Sequence, residues 1–447
     1  MAKIPQLTKL DSTMELMRIP YKFISKSCKQ LNSEIFATRI MFQKTICMTG
    51  QDASKLFYTS ENIIRKGAAP EMLKATLLGK GGVSQLDGEA HLHRKKLFME
   101  QMTPEKIDEL TAIAHNWLQV YASSWEQDKE QVILYKELQT ILTRSVCEWV
   151  GVPLEENEVD TRRDELVAMF DRAGAKGIGH LWSRIERKRA EAWIEEVVNR
   201  TRAGSIKPKN NSPLFAFCWH RDLNGKLMDA HMTAIELLNL LRPTVAVSLF
   251  MVFVVHALYA HPEFREKIVE ASDEDLNNFV QEVRRLYPFF PATMAKVGES
   301  FEWKGFTFKK GTRVMLDVYG INHSEAIWGD PETFRPERFA SNPPTPFNFV
   351  PQGGGDHLNA HRCAGEFITV ELMKTALEFF ATEINYDVPK QDIYLDFARL
   401  PAMPKSRMII ENVSLNTLSN IEIDDLPSND FFIPANGAKE SSHEERH

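Results

Sequence analysis

The segment His361-Arg362-Cys363-Ala364-Gly365-Glu366 sets one cysteine behind two nitrogenous side chains and ahead of small residues, shortly after Gln352-Gly353-Gly354-Gly355. A cysteine that opens an apolar helix in this way suits a thiolate ligating a haem iron, at the positive end of the helix with backbone amides donating to the sulfur. The competing reading is a small buried residue, which free cysteines usually are. Upstream, Glu282-Val283-Arg284-Arg285 puts Glu282 and Arg285 three apart on one helix face. Between the two lies Phe334-Arg335-Pro336-Glu337-Arg338-Phe339. Glu282, Arg285 and Arg338 thus supply an acid and two bases able to lock the loop that carries Cys363.

These motifs, in this order and spacing, resemble the cytochrome P450 superfamily over roughly residues 10–413. The resemblance implies a mainly α-helical P450 fold with small β-sheets. It also implies haem b between a long central helix and the helix after Cys363, with Cys363 as axial ligand. One departure is the insertion Asp356-His-Leu-Asn-Ala between the glycines and His361. Haem propionates need cations, and His91 and Arg94, three apart in Asp87-Gly88-Glu89-Ala90-His91-Leu92-His93-Arg94, are the candidates; the alternative is a solvated basic face continuing through Lys95 and Lys96.

Oxygen-activating P450s deliver protons through an acid and a threonine in the central helix. Here that helix reads Leu240-Leu241-Arg242-Pro243-Thr244, with Arg242 and Pro243 where acid and alcohol belong. Thr244 is one residue late, about 100° round the helix. A guanidinium in an apolar pocket is costly unless paired, and Glu236 is nearly two turns away. The expected partner is a substrate carboxylate held by Arg242; the alternative is a salt bridge to a distant protein acid. Hydrogen peroxide would bring both electrons and the oxygen, so a pinned carboxylate need only move one proton between the two peroxide oxygens.

Arg242-Pro243, the glycine run and His361-Arg362-Cys363 resemble the bacterial fatty-acid peroxygenase branch. That resemblance implies oxidation of long-chain fatty acids at Cα or Cβ, by hydroxylation or by decarboxylation to terminal alkenes, with no obligate redox partner. Ser84 stands where this branch carries glutamine or histidine above the haem, with Gln85 adjacent. Absence of a histidine there favours hydroxylation, and the choice among products stays open. Two other functions compete: a reductase-fed monooxygenase, and a non-catalytic haem or fatty-acid binding protein. The rings of Tyr287, Phe289 and Phe290 read equally as acyl-channel lining or core packing.

The 447 residues are 43% hydrophobic and 26% charged, an ordinary globular composition. The length alone suggests two or three domains, but the resemblance implies one haem domain over 1–413, followed by an acidic, disordered tail over 414–447. The tail carries seven acids against Lys439 and Arg446, a net of −5 out of the chain's −7. The body is thus nearly neutral, with no electrostatic case for nucleic acid. Five cysteines without a C-x-x-C pair suggest a reducing compartment. No N-terminal anchor is evident, and the expectation is a soluble, cytoplasmic, bacterial protein. The apolar stretch Leu237–Tyr259 is long enough to mimic a membrane span, but a core helix is also apolar all round. Helices are expected at 229–260, 273–287 and 366–384, with strands near 34–49, 301–308 and 312–318.

Overall fold

The computed structural model describes residues 3–171, 178–341 and 343–416. Nearly all of the expected tail, 414–447, lies outside these residues. The last strand, Ile409–Leu415, runs two residues past the expected domain boundary at 413.

The organising element is the helix Ala230–Ala260. It begins where expected because Asp229 caps it, its carboxylate accepting the Met232 N–H at 2.9 Å. Its residues are apolar all round because helices surround it: Leu134–Val150, Val159–Asp171, Ile178–Arg202 and Glu366–Glu378 all pack on it. With 89% of its most apolar window buried inside the protein, it is a core helix. Pro243 sits within it without ending it, and the Thr244 hydroxyl donates back to the Leu240 carbonyl at 2.9 Å.

A five-stranded sheet flanks the helical body, in the spatial order Ile35–Ile40, Gln43–Met48, Arg313–Asp317, Ala292–Val297, Ile63–Ile64. Only the contact between Gln43–Met48 and Arg313–Asp317 is parallel. The expected strands near 301–308 form a separate hairpin, Phe301–Trp303 with Phe306–Phe308.

The helix after Cys363 departs from expectation. It is α-helical over Glu366–Glu378, passes through a π-helical turn at Phe379–Glu383, and then becomes the strand Ile384–Asp387. Ile384 pairs with Leu415 and Asp387 with Glu411. The pairing partner arrives from the far end of the domain, so local periodicity gave no warning of it.

Candidate active site: the cysteine loop, its cradle and a buried arginine

Cys363 is set deep in the protein yet keeps some accessible surface. Its N–H donates to the Gln352 carbonyl at 3.0 Å, which folds the loop back on the glycine run. Gly353 and Gly355 both adopt left-handed φ, +97° and +82°, and a Cβ on Gly355 would press on Tyr58 at 3.0 Å. Burial and then the Glu366 charge push the thiol up, while the Gly365 N–H, Lys95 and Arg284 favour the thiolate. The Gln352 amide lies 3.9 Å from Sγ and donates to Thr369 Oγ1 at 2.9 Å.

Behind the loop, Arg284 donates to Gln352 Oε1 at 2.9 Å and to Glu366 Oε1 at 2.5 Å, and Arg362 Nε donates to Glu366 Oε2 at 2.6 Å. Burial works against the Glu366 carboxylate, yet Arg284 and Arg362 hold it down at about 2. The inserted residues close on themselves, with Asp356 Oδ1 accepting the N–H groups of Leu358 and Asn359 at 3.0 and 2.7 Å. They send His357 back to the Cys363 carbonyl at 3.1 Å. Lys95 clamps the same loop, donating to the carbonyls of Arg362 at 2.7 Å and of Ala360.

The Glu282, Arg285 and Arg338 side chains meet in one fully buried lock. Arg285 grips Glu282 at 2.7 and 2.9 Å, and Arg338 Nε and the Arg335 N–H both donate to Glu282 Oε1, at 3.1 and 2.8 Å. The spare N–H groups are used on backbone: Arg285 on Asn322 and Pro331, Arg338 on Trp328, Asp330 and Thr333. One carboxylate thereby ties the helix Asp273–Leu286 to the meander around 322–338.

His91 and Arg94 separate in space. His91 stacks on His361 with centroids 3.8 Å apart, whereas Arg94 Nη1 pairs with the fully buried Glu236 at 2.6 Å. Around His91 stand Arg65, Lys95 and His361, with Asp87 the one acid among them. Asp87 accepts the N–H groups of Arg65 and Lys66, both at 2.8 Å. Burial, then His361 and Lys95, drive the His91 imidazole down to about 3. Arg65 packs on the Phe57 ring at 4.2 Å and has a buried Nη1 without a partner. Lys95 and Arg65 were not singled out from sequence. Lys95 carried a usable signal, being i+4 from His91; Arg65 follows Ile63-Ile64 with nothing to mark it.

On the central helix, Arg242 is 8% exposed, and its buried Nη1 has no hydrogen-bond partner. Among the described residues no carboxylate pairs with it. Burial and then the Arg187 guanidinium pull it down to about 9, so it remains charged near neutrality. Ser84 lies in the short 3-10 turn Val83–Gln85 with its hydroxyl buried and unpartnered. Gln85 instead donates to the Gly79 carbonyl, closing its own turn. Phe289 stacks on Phe250 of the central helix at 4.6 Å, while Phe290 is 42% exposed.

These features suit a thiolate-bound, dianionic cofactor. The cysteine keeps accessible surface, Arg65, Lys95 and an orphaned guanidinium N–H stand ready for any carboxylate brought beside them, and the loop behind the sulfur is braced by Arg284, Arg362, Glu366 and Lys95. A family profile described as Cytochrome P450 matches residues 13–394. The chain belongs to the cytochrome P450 family. It is a haem-thiolate oxidoreductase carrying haem b. Among solved P450 structures, P450SP alpha (CYP152B1), solved with (R)-ibuprofen, is 45% identical, with 91% of this chain and 99% of that one covered at a TM-score of 0.88. P450EX alpha (CYP152N1), solved with myristic acid, is 40% identical, with 93% and 100% covered at 0.89. A single-substitution variant of P450 OleT, solved with arachidonic acid, is 34% identical, with 93% and 99% covered at 0.89. A curated relative, the putative cytochrome P450 120 of Synechocystis, is 25% identical, with 87% of this chain and 92% of that one covered. Within the P450 family the chain falls in the fatty-acid peroxygenase branch.

Proposed function

We propose that this P450 oxidises long-chain fatty acids at Cα or Cβ with hydrogen peroxide, without an obligate redox partner, and that Arg242 anchors the substrate carboxylate. The observation that carries the reading is the buried Arg242 guanidinium, orphaned in the helix position where an oxygen-activating P450 needs an acid. The solved relatives with myristic and arachidonic acid bound support the substrate class. Bound haem, ligated by Cys363, supplies peroxide cleavage favoured by electron donation from the thiolate. Arg65, His91 and Lys95 would hold its propionates, whereas Arg94 is engaged by Glu236. A single compartment of cytoplasmic, bacterial type fits the buried central helix and the four buried free cysteines.

The carboxylate that Arg242 orients would act as both base and acid, so it needs a donor when ionised and an acceptor when protonated. Arg242 Nη1 is the donor. Pro243 has no N–H to give the Asn239 carbonyl, which leaves that acceptor without its helical donor one turn earlier. Pro243→Ala restores the helical bond and keeps Arg242. Its expected effect is a roughly hundredfold loss of turnover, the lower end of one proton-transfer contribution, at unchanged fatty-acid affinity; unchanged turnover would remove the acceptor from the mechanism.

The deciding experiment is product analysis of the purified haem protein with myristate and hydrogen peroxide alone. Hydroxy acids, or an alkene one carbon shorter, establish the peroxygenase. Turnover that appears only with a reductase and NAD(P)H moves the protein to the monooxygenase reading. No product under either condition leaves a binding protein.

A further inference from the structure

The segment Lys74–Gln85, which carries Ser84, is held from outside by two buried charges of opposite sign. At one end Arg187, 2% exposed, donates to the carbonyls of Thr76 and Leu77 at 3.2 and 3.1 Å. A Cβ on Gly79 would lie 2.3 Å from Arg187 Nη2 and 2.7 Å from Ile235 Cγ2, so helix Ile178–Arg202, the central helix and this segment meet there with no room for a side chain. At the other end stands Glu236, which is fully buried. Its carboxylate takes Arg94 Nη1 at 2.6 Å, Asn239 Nδ2 at 3.0 Å and the backbone N–H of Val83, next to Ser84. Gly82 lies so close that a Cβ there would approach Asn239 Nδ2 to 2.8 Å.

Glu236 and Arg242 belong to one unbroken helix, six residues apart, which is about 9 Å of axial rise. One helix therefore fixes two points: the substrate carboxylate at Arg242 and the Ser84 turn through Glu236. Neither point can shift relative to the other without bending that helix. We propose that Glu236 is a positioning residue that sets regiochemistry: by holding the Val83 N–H it places the Ser84 hydroxyl over the substrate carbons next to the carboxylate. Ser84 is suited to that place, with its hydroxyl buried and unpartnered. The proposal rests on the fatty-acid reading above.

The test compares holoenzyme of wild type, Glu236→Gln, Ser84→Ala and the double variant, with myristate and peroxide. The readouts are the haem spectrum, the myristate Kd and the ratio of Cα to Cβ products. The expected result is a normal spectrum and a Kd within about threefold in Glu236→Gln, because Arg242 is untouched. The product ratio should shift at least threefold in the direction that Ser84→Ala shifts it. The double variant should shift no further than the larger single change, as coupled residues do. If Glu236→Gln fails to fold, Arg94→Gln with Glu236→Gln removes both buried charges together and leaves neither unpaired. A ratio unchanged in a folded variant, additive shifts, or a collapse of Kd would each overturn the assignment. Absence of product in the wild type would instead strike the fatty-acid reading.

Discussion

Arg242→Ala is expected to lose fatty-acid binding by two to three orders of magnitude while the haem spectrum stays normal. The size follows from the environment. A carboxylate bound beside Arg242 is desolvated, and breaking one partner of a buried ion pair costs about 3–5 kcal/mol. Removing the arginine from the substrate-free protein carries no matching penalty, because its buried Nη1 has no partner there to lose. The melting temperature of the substrate-free variant should accordingly hold or rise. Titration with myristate, with the methyl ester as control, separates the effects: the acid should lose its affinity and the ester should be indifferent. An alanine variant that turns over myristate near the wild-type rate would end the anchoring mechanism.

The second large effect is structural. Glu282→Gln leaves Arg285 and Arg338 buried without a counter-charge, in a lock where side-chain exposure is 0%, 4% and 0% for Arg285, Arg338 and Glu282. The same scale of about 3–5 kcal/mol applies, against a total folding stability that is typically about 5–15 kcal/mol. Most of the protein should then be recovered without haem or in aggregates. The ratio of haem absorbance to protein absorbance reads this directly. A variant with full haem content and unchanged thermal unfolding would show that the lock is dispensable.

The parts of the site that lie close in sequence were legible in it. Cys363 and its glycines share one loop, Glu282 and Arg285 share one helix turn, and Arg242-Pro243 stands out inside an apolar helix. What escaped notice depends on distant pairing. Arg94 was expected beside the propionates, but its partner Glu236 lies 142 residues away and is visible only once the two helices are packed. Lys95 belonged, on local grounds, to a solvated basic face. The fold splits that face, burying Lys95 against the cysteine loop while the Lys96 side chain stays 76% exposed. Gln85, noted only as the neighbour of Ser84, is claimed by the carbonyl of Gly79, which belongs to a segment that Arg187 holds from another helix.

The central helix also decides where this enzyme is free to change. Helices press on it from several sides, so a larger or smaller residue almost anywhere along it strains or hollows a packed core, at a cost of about 1–5 kcal/mol. Lys74–Gln85 is different: of its residues only Thr76, Gly79 and Gly82 are buried, and beyond the apolar contacts of Leu77 and Val83 its hold on the body comes from polar contacts. New chain-length or product preferences, whether drifted into by evolution or chosen at the bench, should collect at the half-buried and exposed positions of that segment, away from Gly79 and Gly82, leaving the helix beneath it as the fixed datum from which every variant is measured.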